Sequence, residues 1–108
     1  MWLSSDNSNQ SVVKEIEIDA SPEEVWEAIA DEDAREEWLD EPGREIHVET
    51  ADAPNRLVWW WWEGDEPATR VEFLVVAAPA HTRVIVTEST PARVPLTALA
   101  AHCSLVAV

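Results

Sequence analysis

Four consecutive tryptophans, Trp59, Trp60, Trp61 and Trp62, and one carboxylate in an apolar run, Glu88, are the residues whose type and spacing bear most on chemistry. On a strand, side chains alternate between faces. Leu57, Trp59 and Trp61 then share a core or pocket face, and Val58, Trp60 and Trp62 face the other way. A solvated antiparallel sheet normally shows polar residues on that second face. Two tryptophans there make an apolar patch of the kind that marks an interface, unless acidic and Arg side chains of neighbouring strands cover it. Glu88 has the parity of Val84 and Val86, so its carboxylate points to the concave face. In a cavity it would serve as an acid or a ligand anchor; the other readings are a pairing with Arg or a place at the open strand end.

The remaining reactive types form no constellation. His47 is out of phase with Ile46 and Val48, His81 sits in a turn, and His102 and Cys103 are helix neighbours that point in different directions. No His has a partner at metal-ligand spacing, so no metal is expected. With only Gly43 and Gly64 there is no Gly-rich phosphate loop, and no cofactor is expected. No nucleophile–base pair is visible.

Acidic residues number 22 against 7 basic ones, a formal net charge of -15. Such a surface repels phosphate backbones and anionic membranes, so neither nucleic acid nor membrane is an expected partner. The acidity serves solubility, in a salty medium or otherwise, or steers a basic partner. Asp31, Glu32, Asp33, Glu36, Glu37, Asp40 and Glu41 concentrate it in one stretch, read as a solvated face or a contact for a basic segment. Cys103 is the only cysteine, so no intramolecular disulfide can form. With no signal-peptide pattern over residues 1–10 and no apolar run of membrane length, the expected compartment is the cytoplasm.

The elements that must position these residues follow from periodicity. Residues 1–11 read as a flexible polar tail and 12–108 as one domain. Residues 12–19 alternate, with Val12, Lys14, Ile16 and Ile18 on one face. Ser21, Pro22 and Glu24 form a capping box with Pro at the first helical position, opening a helix over 22–30. A second short helix spans 33–39, with Trp38 as its anchor, and Pro42 and Gly43 stop it. Strands follow at 44–50 (Ile46 and Val48 inward), 56–62, 69–77 (Val71, Phe73 and Val75 on one face) and 82–88, joined by turns short enough to imply antiparallel pairing. Leu96, Leu99, Ala100 and Cys103 recur at helical spacing in a last helix over 94–108. The expected fold is α+β: a curved antiparallel sheet of about five strands wrapped around the C-terminal helix, with two short helices after the first strand.

Specific blocks carry a resemblance. The stretch from Ile16 to Ile29, then Glu37, Trp38 and Leu39, then 54–61, then the closing Thr82, Arg83, Val86, Thr87 and Glu88 resemble the START-like (SRPBCC, Bet v allergen-like) superfamily. Within it the chain is similar to the C-terminal domains of activators of the heat-shock protein 90 ATPase. The resemblance covers roughly 12–88 and implies a helix-grip fold. Relatives carry two further strands and a Gly-rich turn after the Trp-Leu pair. Here Trp38 and Leu39 run almost directly into Arg44, Glu45 and Ile46, which implies one hairpin fewer, a reduced pocket, or a sheet edge used for dimer formation. The implied function is a non-enzymatic binding module. It holds a small apolar ligand between sheet and C-terminal helix, against Trp26, Trp38, Trp59, Trp61, Phe73, Val86 and Glu88, or docks a homodimer or co-chaperone-like partner through Trp60 and Trp62. The alternative is a small enzyme of the polyketide cyclase, dehydratase or hydrolase kind, using Glu88 in the cavity.

Overall fold

A computed structural model describes residues 10–107. In chain order it has β1 (Ser11–Ile18), α1 (Pro22–Ala30), α2 (Glu32–Trp38), β2 (Glu45–Asp52), β3 (Arg56–Trp62), β4 (Thr69–Ala77), β5 (Thr82–Ser89) and α3 (Leu96–Ala107). The five strands form one antiparallel sheet in the order β1-β5-β4-β3-β2. The tail expected over 1–11 lies outside the described residues except at Gln10 and Ser11, and Ser11 already opens β1.

Local signals account for the helices. The Ser21 hydroxyl accepts from the Glu24 amide at 3.1 Å while the Glu24 carboxylate accepts from the Ser21 amide at 2.9 Å. Two otherwise orphaned donors are thereby satisfied. Asp31 ends α1 through its own amide, bonded to the Glu27 carbonyl, and opens α2 by accepting from the Ala34 amide at 2.9 Å. One residue thus makes the break between the helices. The Trp38 indole donates to the Ala28 carbonyl at 2.8 Å and holds α2 against α1.

One face of the sheet and the helices enclose the core. Ile18, Val25, Ile29, Leu57, Trp59, Trp61, Val71, Phe73, Val84, Val86, Leu99 and Cys103 form one contiguous buried cluster. The Trp59 ring lies 4.9 Å from Phe73 and 5.6 Å from Trp61, both tilted, the geometry aromatic rings favour. α3 packs against β1, α1 and α2, and α1 reaches β4. The coverage therefore sits toward the β1 side, and β2 is left at the far edge.

Two details depart from simple alternation. Ile46 and Val48 pair with Trp61 and Trp59 and so share the concave face, yet Val48, on the terminal strand, is 39% exposed. A bulge at Glu49 then shifts the register, so that Thr50 opposes Val58. Val58, on the convex face, is fully buried. Its cross-strand neighbour Glu72 is pinned by Arg56 at 2.6 Å, and Trp60 stands beside it.

Candidate functional site

The break at Asp31 turns α2 so that Arg35 and Leu39 face the sheet. Arg35 is buried; its Nη1 donates to the Ile29 and Ala30 carbonyls at 3.0 and 3.1 Å, and its guanidinium lies 5.4 Å from the Trp59 ring centre. Burial pushes its pKa down, with Glu32 and Asp31 acting against the shift. Just before β2, Arg44 repeats the arrangement. Its guanidinium lies 4.9 Å from the Trp61 ring centre. It pairs with Glu66, and with Glu41 and Glu63 at 3.9 and 3.8 Å. The bond from Arg44 holds the half-buried Glu66 carboxylate below its usual range. Each arginine thus stacks on a core tryptophan, a contact that binds cation and ring together.

Between α2 and β2 these residues border an open cleft of about 630 Å³. Its apolar lining is Leu39, Pro42 and Ile46, its buried cations are Arg35 and Arg44, and its rim carries Glu32, Glu36, Glu41 and Glu45. The sequence-based pocket set lies elsewhere. Trp38, Trp59, Trp61, Phe73 and Val86 are buried inside the packed core. Trp26 packs against that core from α1 and lines a more open cleft of about 500 Å³ with Glu23, Glu24, Glu27 and Asp31.

Glu88 is buried, and its carboxylate is fully engaged. Oε1 accepts from the Arg93 and Val94 amides at 2.8 and 3.1 Å, and Oε2 lies 3.1 Å from Lys14 Nζ. Lys14 Nζ also donates to the Val94 carbonyl at 2.8 Å. The group ties β5, β1 and the segment entering α3 together.

Trp60 and Trp62 lie half-exposed on the convex face. The Trp60 indole donates to Glu49 at 2.7 Å, and this bond, together with Arg70, holds the Glu49 carboxylate below its usual range. Arg70, Arg56 and Arg83 carry ion pairs to Glu49, Glu72 and Glu15 across the same face. His47 is exposed beside Trp60, His81 lies 3.1 Å from Glu17, and His102 lies 3.7 Å from Glu37. Among the described residues no three His, Cys, Asp or Glu side chains are grouped to hold a metal, and no helix is long and apolar enough to cross a membrane.

Burial pushes the Cys103 thiol up to about 11, with Glu24 adding to the shift. At about pH 8 the native protein is therefore expected to resist a thiol-reactive disulfide reagent and to react fully once denatured. Rapid labelling of the native chain would contradict this placement.

Sequence reasoning missed Arg35 and Arg44. The available signal was that they are the only cations between Asp31 and Glu45, a segment otherwise rich in carboxylates.

The chain matches no protein-family model, and no curated protein matches it in sequence. Solved structures do match. The crystal structure of CalU16 from Micromonospora echinospora is 22% identical with a TM-score of 0.62, over 76% of this chain and 61% of that one. DynU16, a putative protein in the dynemicin biosynthetic locus, is 20% identical with a TM-score of 0.66, over 90% of this chain and 43% of that one. The solution structure of the Aha1 dimer from Colwellia psychrerythraea is 18% identical with a TM-score of 0.65, over 89% of this chain and 86% of that one. This chain therefore spans about three-fifths of the CalU16 chain and under half of the DynU16 chain. With its five-stranded antiparallel sheet, paired short helices and C-terminal helix, the chain has a helix-grip fold, which it shares with these solved structures.

Proposed function

We propose that the chain is a non-enzymatic binding module whose site is the cleft between α2 and β2. One observation carries this reading. The space between sheet and C-terminal helix is taken up by Trp59, Trp61, Phe73, Val86 and Leu99, each at most 1% exposed, while open volume lies over Leu39, Pro42 and Ile46. A packed interior of this density leaves a ligand no room without repacking. The engaged state of Glu88 favours binding over catalysis, since an acid or base must have a free lone pair or proton to offer.

The test is native mass spectrometry before and after mild organic extraction, followed by titration of the extracted protein with Nile red, a neutral apolar dye. An extractable adduct, or dye fluorescence that Ile46→Asp abolishes, is the expected result. Bare protein whose dye binding ignores that substitution overturns the reading.

A second reading, a protein contact through Trp60 and Trp62, rests on the convex face. Three Arg–Glu pairs lie there, and Val13 and Val76 are exposed on the same face, Val13 out on β1 and Val76 toward the other end of β4. In a chain of net charge -15, two copies would meet there with the least repulsion. The same spectra register it as a dimer that Trp62→Glu returns to monomer.

A further inference from the structure

We infer that the occupant of this cleft is a basic, extended segment of another protein, which adds to the open edge of β2 as a sixth strand. The inference rests on the cleft being the binding site, and it names the chemistry of the partner.

The backbone supplies the first part of the argument. Among the described residues β2 is the terminal strand and pairs only with β3, so one row of its amides and carbonyls points away from the sheet. An unpaired row of this kind is a template for another extended chain. The opposite edge, β1, lies against α3 and carries Lys14. The cleft opens on the β2 edge itself, because Glu45 and Ile46 belong to both. Side chains of an added strand alternate. Every second one would fall on the concave side, beside Ile46, the exposed Val48 and Leu39.

Charge selects the sign of the partner. The cleft's own cations are spoken for: Arg35 by two carbonyls, Arg44 by three carboxylates. Arg44 Nε and Nη1 have no hydrogen-bond partner, but neighbouring carboxylates compensate the charge. By contrast Glu32, Glu36, Glu45 and Asp52 make no ion pair among the described residues. An anionic segment would meet these four carboxylates and the field of a chain carrying -15. A second copy pairing edge to edge would bring the Glu45, Glu49 and Asp52 carboxylates of both copies together along one seam, where like charges oppose pairing. A segment alternating Lys or Arg with Val or Ile satisfies the edge and sets its apolar side chains on Ile46 and Val48 and its cations on the other face beside Glu45 and Asp52, within the field of Glu32 and Glu36.

The experiment titrates the full chain with a synthetic peptide alternating Arg and Val, followed by amide NMR shifts and calorimetry. The controls are a Glu–Val peptide and the Arg–Val peptide with two central prolines, which cannot complete a ladder. Expected are 1:1 binding with shifts centred on β2 and α2, and no binding of the Glu–Val peptide. Affinity should weaken roughly tenfold or more between about 50 and about 500 mM salt. The double substitution Glu36→Lys with Glu45→Lys, both at exposed positions, should weaken it by about as much with the melting temperature unchanged. The inference is overturned if the proline peptide binds equally well, if charge reversal has no effect, if the shifts fall on α1 or the convex face, or if β2 pairs with a second copy. Should the Arg–Val peptide fail while Nile red still enters the cleft, the peptide inference falls and the cleft reading stands; should both fail, both fall.

Discussion

Replacing Trp59 by Ala is expected to cost roughly 4 kcal/mol, the range for truncating a buried aromatic. Trp59 is fully buried, sits between Trp61 and Phe73, and has the Arg35 guanidinium on its face. Truncation leaves a cavity at the centre of the core and removes the ring that accompanies a buried cation. Domains of this size hold about 5–15 kcal/mol in all, so much of the folded population is at risk. In thermal melts the loss corresponds to a fall of about 15–30 °C. Trp59→Phe separates the causes. It keeps most of the apolar volume and removes an indole N–H that is buried without a partner, so its cost is expected below about 1.5 kcal/mol. Urea or thermal unfolding of both variants decides the matter. A Trp59→Ala protein melting within a few degrees of the parent would refute this account of the core.

Glu88→Ala should be the other severe substitution, at about 3 kcal/mol. Two backbone amides, of Arg93 and Val94, lose their acceptor, and Lys14 loses its carboxylate. Most of the effect is the penalty of leaving these donors unpaired in a buried place. Lys14 keeps a third of its side chain in water, so the ion pair itself adds little. Glu88→Gln, which still offers one acceptor oxygen, should lose less. Hydrogen exchange gives a sharper readout than the melt: α3 amides should exchange faster in Glu88→Ala, because the carboxylate anchors the segment leading into α3. Unchanged α3 protection would show that the tie holds nothing.

Much of the fold was legible because its causes are local or periodic. The capping box at Ser21 and Glu24 needs only neighbours three residues apart, and it forms as written. Parity assigned Leu57, Trp59 and Trp61 to the buried face, and the resemblance, set against the short link from Leu39 to Arg44, implied the sheet with one hairpin fewer. The site was less legible. Placing aromatic residues on one face says which side chains meet, but not whether a gap remains between them. That depends on the volumes of Trp59, Trp61, Phe73 and Leu99 once all are in place.

The amino-acid sequence alone determined the element order, the strand faces, the helix boundaries to within a few residues and the strongly acidic character, since these depend on spacing and composition. Tertiary structure decided the rest. It brought Lys14 to Glu88 across the β1–β5 pairing, buried Arg35 and Arg44 on the rings of Trp59 and Trp61, and left the β2 edge beside an acidic cleft. Each of these outcomes joins residues far apart in the chain. A buried charge is tolerated only where the folded chain supplies its partner, and that partner is specified by register and packing rather than by any local pattern.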